Sequence, residues 1–193
     1  MSPRMKLDLS VVLQKAVELI DDNGLEQLSI GVLAKELQVR PPSLYNHING
    51  LDELKQKLAI HGIKSLYECM LQAAVGRSGD EAIRALSQTY IEFVRTHPGL
   101  YEAATRFPDP EDRELHQAQQ AIVKLVVKVL QAYNLKEDTA IHMVRGLRSI
   151  LHGFTSIEQM GGFAMSLDID QSFSILIDTF IEGIHLMAVK ENE

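Results

Sequence analysis

Leu33-Ala34-Lys35-Glu36-Leu37-Gln38-Val39-Arg40-Pro41-Pro42-Ser43-Leu44-Tyr45-Asn46-His47-Ile48 is the stretch that decides the fold. Ser29, just before it, is a good helix cap. Ile30, Leu33, Ala34 and Leu37 recur at helical spacing, which predicts a short helix to about Leu37. Gln38-Val39-Arg40 is then a tight connection. Pro41 and Pro42 suit only the first turn of a helix, where missing N–H groups are unneeded. That second helix should run to about Ile48, with Leu44 and Ile48 packed inward. Ser43, Asn46 and His47 project from the other side, with Arg40 and Pro41 at its start. Asn49-Gly50 ends it. Two helices this short cannot bury a core alone, so they need support from the helices before and after them.

Both supports are present. Val11, Val12, Ala16, Leu19 and Ile20 lie at helical spacing after Asp8 or Ser10, and Asn23-Gly24 supplies the stop. Asp52 opens a long fourth helix to about Val75. Gly76-Arg77-Ser78-Gly79 breaks the chain, and further helices are expected at about 80–95, 98–106, 111–133, 137–160 and 169–190. His97-Pro98, Phe107-Pro108-Asp109-Pro110 and Gly161-Gly162 punctuate them. The chain therefore reads as all-α, with about nine helices and no convincing strand. Residues 1–50 form a helix-turn-helix domain, 51–77 a connecting helix, and 78–193 a larger helical domain.

A helix-turn-helix places its second short helix in the major groove of a duplex. The hydroxyl of Ser43, amide of Asn46, imidazole of His47 and guanidinium of Arg40 are groups that read bases or hold phosphates. Tyr45 can lay its ring along the duplex edge and donate its hydroxyl to a phosphate. Ser29 is first a cap, and the backbone N–H groups behind it can meet another phosphate. For Tyr45 the bland alternative is a core-edge aromatic, and for His47 a structural histidine. Arg4 and Lys6 could form a minor-groove arm or a solvated tail.

Composition sets bounds on this reading. Of 193 residues, 46% are hydrophobic, enough for a substantial core. The formal charge is −7, the opposite of what non-specific nucleic-acid binding needs. Residues 1–60 hold seven Lys/Arg against eight Asp/Glu, so DNA binding must rest on local placement. Two half-sites held on one dimer would reinforce each other. The single cysteine, Cys69, cannot form an internal disulfide, which favours a reducing, cytoplasmic setting. Met1–Leu9 lacks the apolar core of a signal peptide. No apolar run approaches the roughly 20 residues that span a bilayer, so no membrane association is expected.

Beyond residue 80 there is no Gly-x-Ser-x-Gly elbow, phosphate loop or His-Glu-x-x-His, so neither an enzyme nor a cofactor is expected. Glu182-x-x-His185 occurs once, where a di-iron bundle needs the spacing twice. His116, His142 and His152 could converge on a metal, although isolated helical histidines are more often structural. Gly146, Ser149, Gly153 and Ser156 form a stripe of small side chains that lets another helix come close. Phe173, Ile177, Phe180 and Ile184 share one face of the last helix, while Ile175 and Ile181 lie partly off it. Apolar residues on more than one stripe suggest a four-helix interface between two copies of the last two helices. The alternative is that both helices pack inside one subunit.

The stretch Leu33–His47 resembles the DNA-binding signature of the tetracycline-repressor (TetR) family, whose core reads Ala … Val … Ser/Thr-Leu-Tyr-x-His. In that family a helix follows that begins near Lys-x-x-Leu. The resemblance covers about the first 55 residues. Two positions depart from the pattern. Gln38 replaces the usual glycine of the connection, so that turn must bend differently or hold a strained residue. Leu51 replaces the usual lysine opening the fourth helix, leaving Lys55 as the candidate phosphate contact there. His97-Pro98-Gly99-Leu100-Tyr101 and His152-Gly153 also resemble a subgroup named for Trp, His and Gly, although this chain has no Trp.

The resemblance implies nine or ten helices, a homodimer, and a C-terminal domain that senses a small molecule. It implies operator binding by Ser29, Arg40, Pro41, Pro42, Ser43, Tyr45, Asn46, His47 and Lys55, and repression relieved by the small molecule. The sensing pocket would then lie among the fifth to eighth helices. Tyr90, Phe93, Tyr101, Phe107, His116, Met143, Arg145 and Met160 are its candidate lining, with plain core packing as the alternative. A metal-responsive regulator, and a helical interaction protein that has lost DNA binding, are the competing readings.

Overall fold

The computed structural model describes residues 7–107 and 111–192. Arg4 and Lys6 lie outside them. Among the described residues there are nine α-helices and no strand. They are α1 (Leu9–Asn23), α2 (Ile30–Glu36), α3 (Pro41–Leu44), α4 (Leu51–Ala74), α5 (Gly79–Thr96), α6 (Pro98–Arg106), α7 (Arg113–Leu130), α8 (Glu137–Gln159) and α9 (Ile169–Asn192). Short 3-10 turns cover Leu25–Gln27 and Gln131–Tyr133.

The chain divides into two compact units. The first holds the described residues of Met1–Ser65 and Thr96–Gln117, and the second those of Leu66–Arg95 and Ala118–Glu193. The chain passes between them within α4, at the end of α5, and within α7.

In the first unit, local chemistry sets the helix ends. Asp8 caps α1 by accepting the N–H of Val11 at 3.0 Å. Ser29 caps α2 by accepting the N–H of Val32 at 3.2 Å. After α2 the N–H of Val39 bonds the carbonyl of Ala34 at 3.0 Å, and that of Gln38 bonds Lys35 at 3.1 Å. These two bonds form a Schellman cap, whose pivot must adopt the left-handed conformation. The pivot is Gln38, with φ +55°.

α3 is shorter than its pattern suggests. The carbonyl of Leu44 accepts both His47 N–H, at 2.9 Å, and Ile48 N–H, at 3.1 Å. This sharing tightens the helix into a turn over residues 45–47. The carboxylate of Glu53 then reaches back to the N–H of Asn49 and fixes the start of α4. That bond, with Lys57 on the other side, holds the Glu53 carboxyl below its usual range.

Val12, Ala16, Ile20, Leu33, Leu44, Ile48, Leu54 and Leu58 are buried and form the core that supports α3. α6 packs against α1 in the same unit. A Cβ on Gly99 would lie 2.2 Å from the carbonyl oxygen of Ile20. Only glycine permits this approach.

The second unit is built on Ile83, Leu86 and Ile91 of α5, Leu147 and Leu151 of α8, and Phe173, Ile177, Ile181 and Ile184 of α9. α8 and α9 run antiparallel. Glu191 near the end of α9 accepts the N–H of Lys136 at the start of α8 at 2.7 Å, while the rings of Phe154 and Phe173 lie 5.0 Å apart. Arg95 joins Glu158 and Asp170, each at 2.6 Å.

α9 corrects one expectation. It is long and apolar enough to cross a bilayer, with a mean hydropathy of 1.5 over its best window and 22% of that window buried. The sequence hid this because Asp178 and Glu182 interrupt the apolar run without lowering its mean much. Phe173, Ile177, Ile181 and Ile184 of this helix are buried in the core of the second unit.

Candidate nucleic-acid interface

α3 separates its two faces sharply. Leu44 is 0% exposed and its neighbour Tyr45 is 55% exposed. Ile48 is buried four residues beyond Leu44. Arg40, Pro41, Pro42 and Asn46 are exposed, and Ser43 and His47 are half-buried. Apolar anchors thus fix the segment from beneath and leave a phenol, an amide and a guanidinium exposed, with a hydroxyl and an imidazole half-buried beside them. Those groups match the donors and acceptors of base edges and phosphates.

Arg40 and Lys35 are exposed and form no ion pair among the described residues. Lys35 lies in the last turn of α2, where one lysine on a helix carries no sequence signal until its face is known. Lys57 is paired with Glu53 at 3.2 Å. Lys55 is half-buried, with its ammonium 5.1 Å from the ring centroid of Phe107. That contact holds the lysine on the first unit by cation–π attraction. Leu51, where a lysine was expected, is half-buried. Asp8 lies close enough to His47 to interact with it electrostatically, and its carboxyl is held low chiefly by Ser10 and the Val11 N–H.

Residues 83–180 match the family model described as the C-terminal domain of tetracyclin-repressor-like proteins. The chain is 40% identical over 185 residues to YobS of Bacillus subtilis (strain 168), an uncharacterized HTH-type transcriptional regulator, covering 95% of this chain and 96% of that one.

The chain belongs to the tetracycline-repressor-like family of transcriptional regulators.

A second family relative, the uncharacterized HTH-type regulator Rv0681 of Mycobacterium tuberculosis, is 31% identical over 180 residues, covering 93% of this chain and 82% of that one. Among solved structures, a TetR variant from Acinetobacter baumannii AYE bound to minocycline has a TM-score of 0.72 at 19% identity, covering 95% of this chain and 99% of that one. A likeness at that identity speaks for the fold.

Within this family member, the candidate pocket residues are divided between the two units. Tyr101, Phe107 and His116 belong to the first unit, and Tyr90, Phe93, Met143, Arg145 and Met160 to the second. Tyr90, Phe93 and Tyr101 are buried, Phe107 and Met143 half-buried, and His116 and Arg145 exposed. Met160 is 76% exposed at the end of α8. A groove of about 410 Å³ does lie between α5 and α9, lined in part by Arg84, Gln88, Phe173, Ile177 and Asp178. None of the eight candidates lines it. Among the described residues no group of three His, Cys, Asp or Glu side chains could hold a metal, so His116, His142 and His152 form no such cluster. His185 instead meets Asp80 at 2.9 Å.

The candidate interface residues divide as well. Phe173, Ile177 and Ile184 are buried within the single chain. Gly146 faces the ring of its own Phe180, 3.3 Å from where a Cβ would stand. Ser149 is exposed, and Gly153 and Ser156 are half-buried. The exposed apolar residues of α9 are Ile175, Leu186 and Val189. Periodicity missed that row because α9 is apolar on more than one side, and spacing alone does not say which side turns inward.

Proposed function

We propose that the protein is a homodimeric, cytoplasmic repressor that reads operator DNA with α3 and releases it when a small molecule binds the second unit. One observation carries the DNA reading: α3 and the turn after it pass from a sealed Leu44 to an open Tyr45, with Arg40 and Asn46 exposed and His47 half-buried beside it. Such a segment can enter a major groove without rearranging. Ser29, Pro41, Pro42 and Ser43 frame it, and Lys35 joins the phosphate contacts. Lys55 contributes only by leaving the Phe107 ring.

Dimerisation through α8 and α9 fits the apolar residues that α9 leaves uncovered. Two reading helices about 34–36 Å apart, or somewhat more, would meet successive major grooves. Small-molecule control is supported by the minocycline complex of the similar TetR structure. α4 belongs to both units, so a ligand that moves its C-terminal half acts on its N-terminal half through one continuous helix. The ligand must favour one setting of that helix over another, since equal affinity shifts nothing.

The test is selection of duplexes from a random-sequence pool by the full-length protein. Enrichment of a two-fold symmetric site is expected. Recovery of no preferred sequence across salt concentrations contradicts DNA recognition.

A further inference from the structure

Gln38 adopts φ +55° at the pivot between α2 and α3. A residue with a Cβ is strained there and a glycine is not. Among the described residues a positive φ otherwise occurs at five glycines and at Asn134, and asparagine tolerates it. Glutamine has no such tolerance. Strain of this kind persists where the side chain is used.

Nothing inside the chain uses this one. Gln38 is exposed, and its amide forms no hydrogen bond among the described residues. The cap needs only backbone: the N–H of Gln38 bonds the carbonyl of Lys35, and that of Val39 bonds Ala34. Glycine at the pivot would make the same bonds. The amide is therefore spare, and it stands three residues before Pro41, which opens α3. In a helix-turn-helix that end of the second helix is the one nearest the base edges.

The neighbours say which part of a duplex the amide meets. Lys35 and Arg40 are exposed on either side of it, without ion pairs among the described residues. Glu36, also exposed, adds after Glu18 to the attraction on the Lys15 ammonium of α1. Phosphates take donors and positive charge, which Lys35 and Arg40 supply. A neutral amide adds little to that. What it does add is a donor and an acceptor side by side, the complement of what adenine presents in the major groove at N7 and N6.

We propose that Gln38 reads an adenine in each half-site, so that the turn as well as α3 determines which operator is bound. The inference rests on the α3 reading above. It accounts for a strained glutamine at a position where glycine would serve the fold better.

The experiment selects duplexes from a random-sequence pool with the full-length protein, unmodified and as Gln38→Gly and Gln38→Glu. Gln38→Gly removes the amide and relieves the turn. Gln38→Glu keeps the size and the strain but leaves acceptors only. The unmodified protein should prefer an A·T pair at the contacted position of each half-site by at least about fivefold. Gln38→Gly should make that position indifferent and keep the preferences elsewhere. Gln38→Glu should move it toward cytosine, whose N4 donates. Ratios between bases do not depend on how much of the protein is folded, so a merely structural role leaves them unchanged. Loss of the A·T preference at that position in both variants, with the other positions intact, supports the proposal. Weakening that is uniform across sequences assigns the amide to a phosphate and overturns base reading. Unchanged enrichment in both variants overturns any contact by Gln38 and leaves the α3 reading standing. An unmodified protein that enriches no sequence overturns the α3 reading, and this one with it.

Discussion

Asp21, in the last turn of α1, bonds Nδ1 of His97 at 2.8 Å with one carboxylate oxygen and accepts the N–H of Leu100 at 2.9 Å with the other. The carboxylate thereby caps the first turn of α6 from a different helix. Because it can only accept, the histidine nitrogen facing it carries the proton. Asp21→Ala strips both partners and should lower the unfolding free energy by about 1.5–3 kcal/mol, whereas Asp21→Asn keeps an acceptor for Leu100 and should lose less. Urea denaturation of the two variants checks the order.

The same junction depends on Gly99. A Cβ there would meet the backbone of Ile20 at 2.2 and 2.3 Å and that of Asp21 at 2.9 Å. Backbone cannot rotate aside as a side chain can. Gly99→Ala should therefore force α6 from α1 and cost about 3 kcal/mol or more. A thermal midpoint equal to that of the unmodified protein would show that the helices part easily.

Gln38 pays a conformational penalty at the pivot between α2 and α3, with φ +55°. Its side chain is exposed, so little packing is lost on removing it. Gln38→Gly should stabilise the protein by about 0.5–1 kcal/mol, the left-handed penalty less the entropy that glycine adds to the unfolded chain. Gln38→Val should destabilise it. Paired denaturation curves measure both.

The phenol of Tyr133 donates to Asp80 at 2.7 Å, and the rings of Tyr133 and His185 meet edge-on at 5.2 Å. That hydrogen bond, followed by His185, holds the Asp80 carboxyl below its usual range. Burial, then the same bond, pushes the Tyr133 phenol up. A lowered acid contributes stability above its unfolded pKa of about 4 and loses it as pH falls through the native value; a raised phenol contributes below about 10 and loses it as pH rises. Tyr133→Phe should thus cost about 1 kcal/mol near neutrality, with the gap narrowing toward both extremes. Denaturation across pH tests this shape.

Local grammar made most of the fold legible. Ser29, Asn23-Gly24, Pro41-Pro42, Asn49-Gly50 and His97-Pro98 each mark a helix end through backbone chemistry that acts within a few residues. The inward pair Leu44 and Ile48 was legible for the same reason, since one helical turn separates them. What sequence did not disclose depends on contacts between distant segments. Nothing near Arg95 points to Glu158, and nothing near Asp21 points to His97. Lys55 reads as a free cation until Phe107 arrives beneath it. On α9 the spacing shows that the helix is apolar but not which row faces inward; the fold buries Phe173 and Ile177 and leaves Ile175 and Leu186 exposed.

The central claim is that the exposed side of α3 touches DNA while its buried side only supports it. Fluorescence anisotropy with a labelled duplex recovered by selection measures this directly, using the unmodified protein and the variant Tyr45→Ala/His47→Ala. The account predicts that the variant keeps its helical content and its sedimentation behaviour but loses at least about a hundredfold in specific affinity, a loss of 2.8 kcal/mol or so. Equal affinity of the two proteins for that duplex would contradict it.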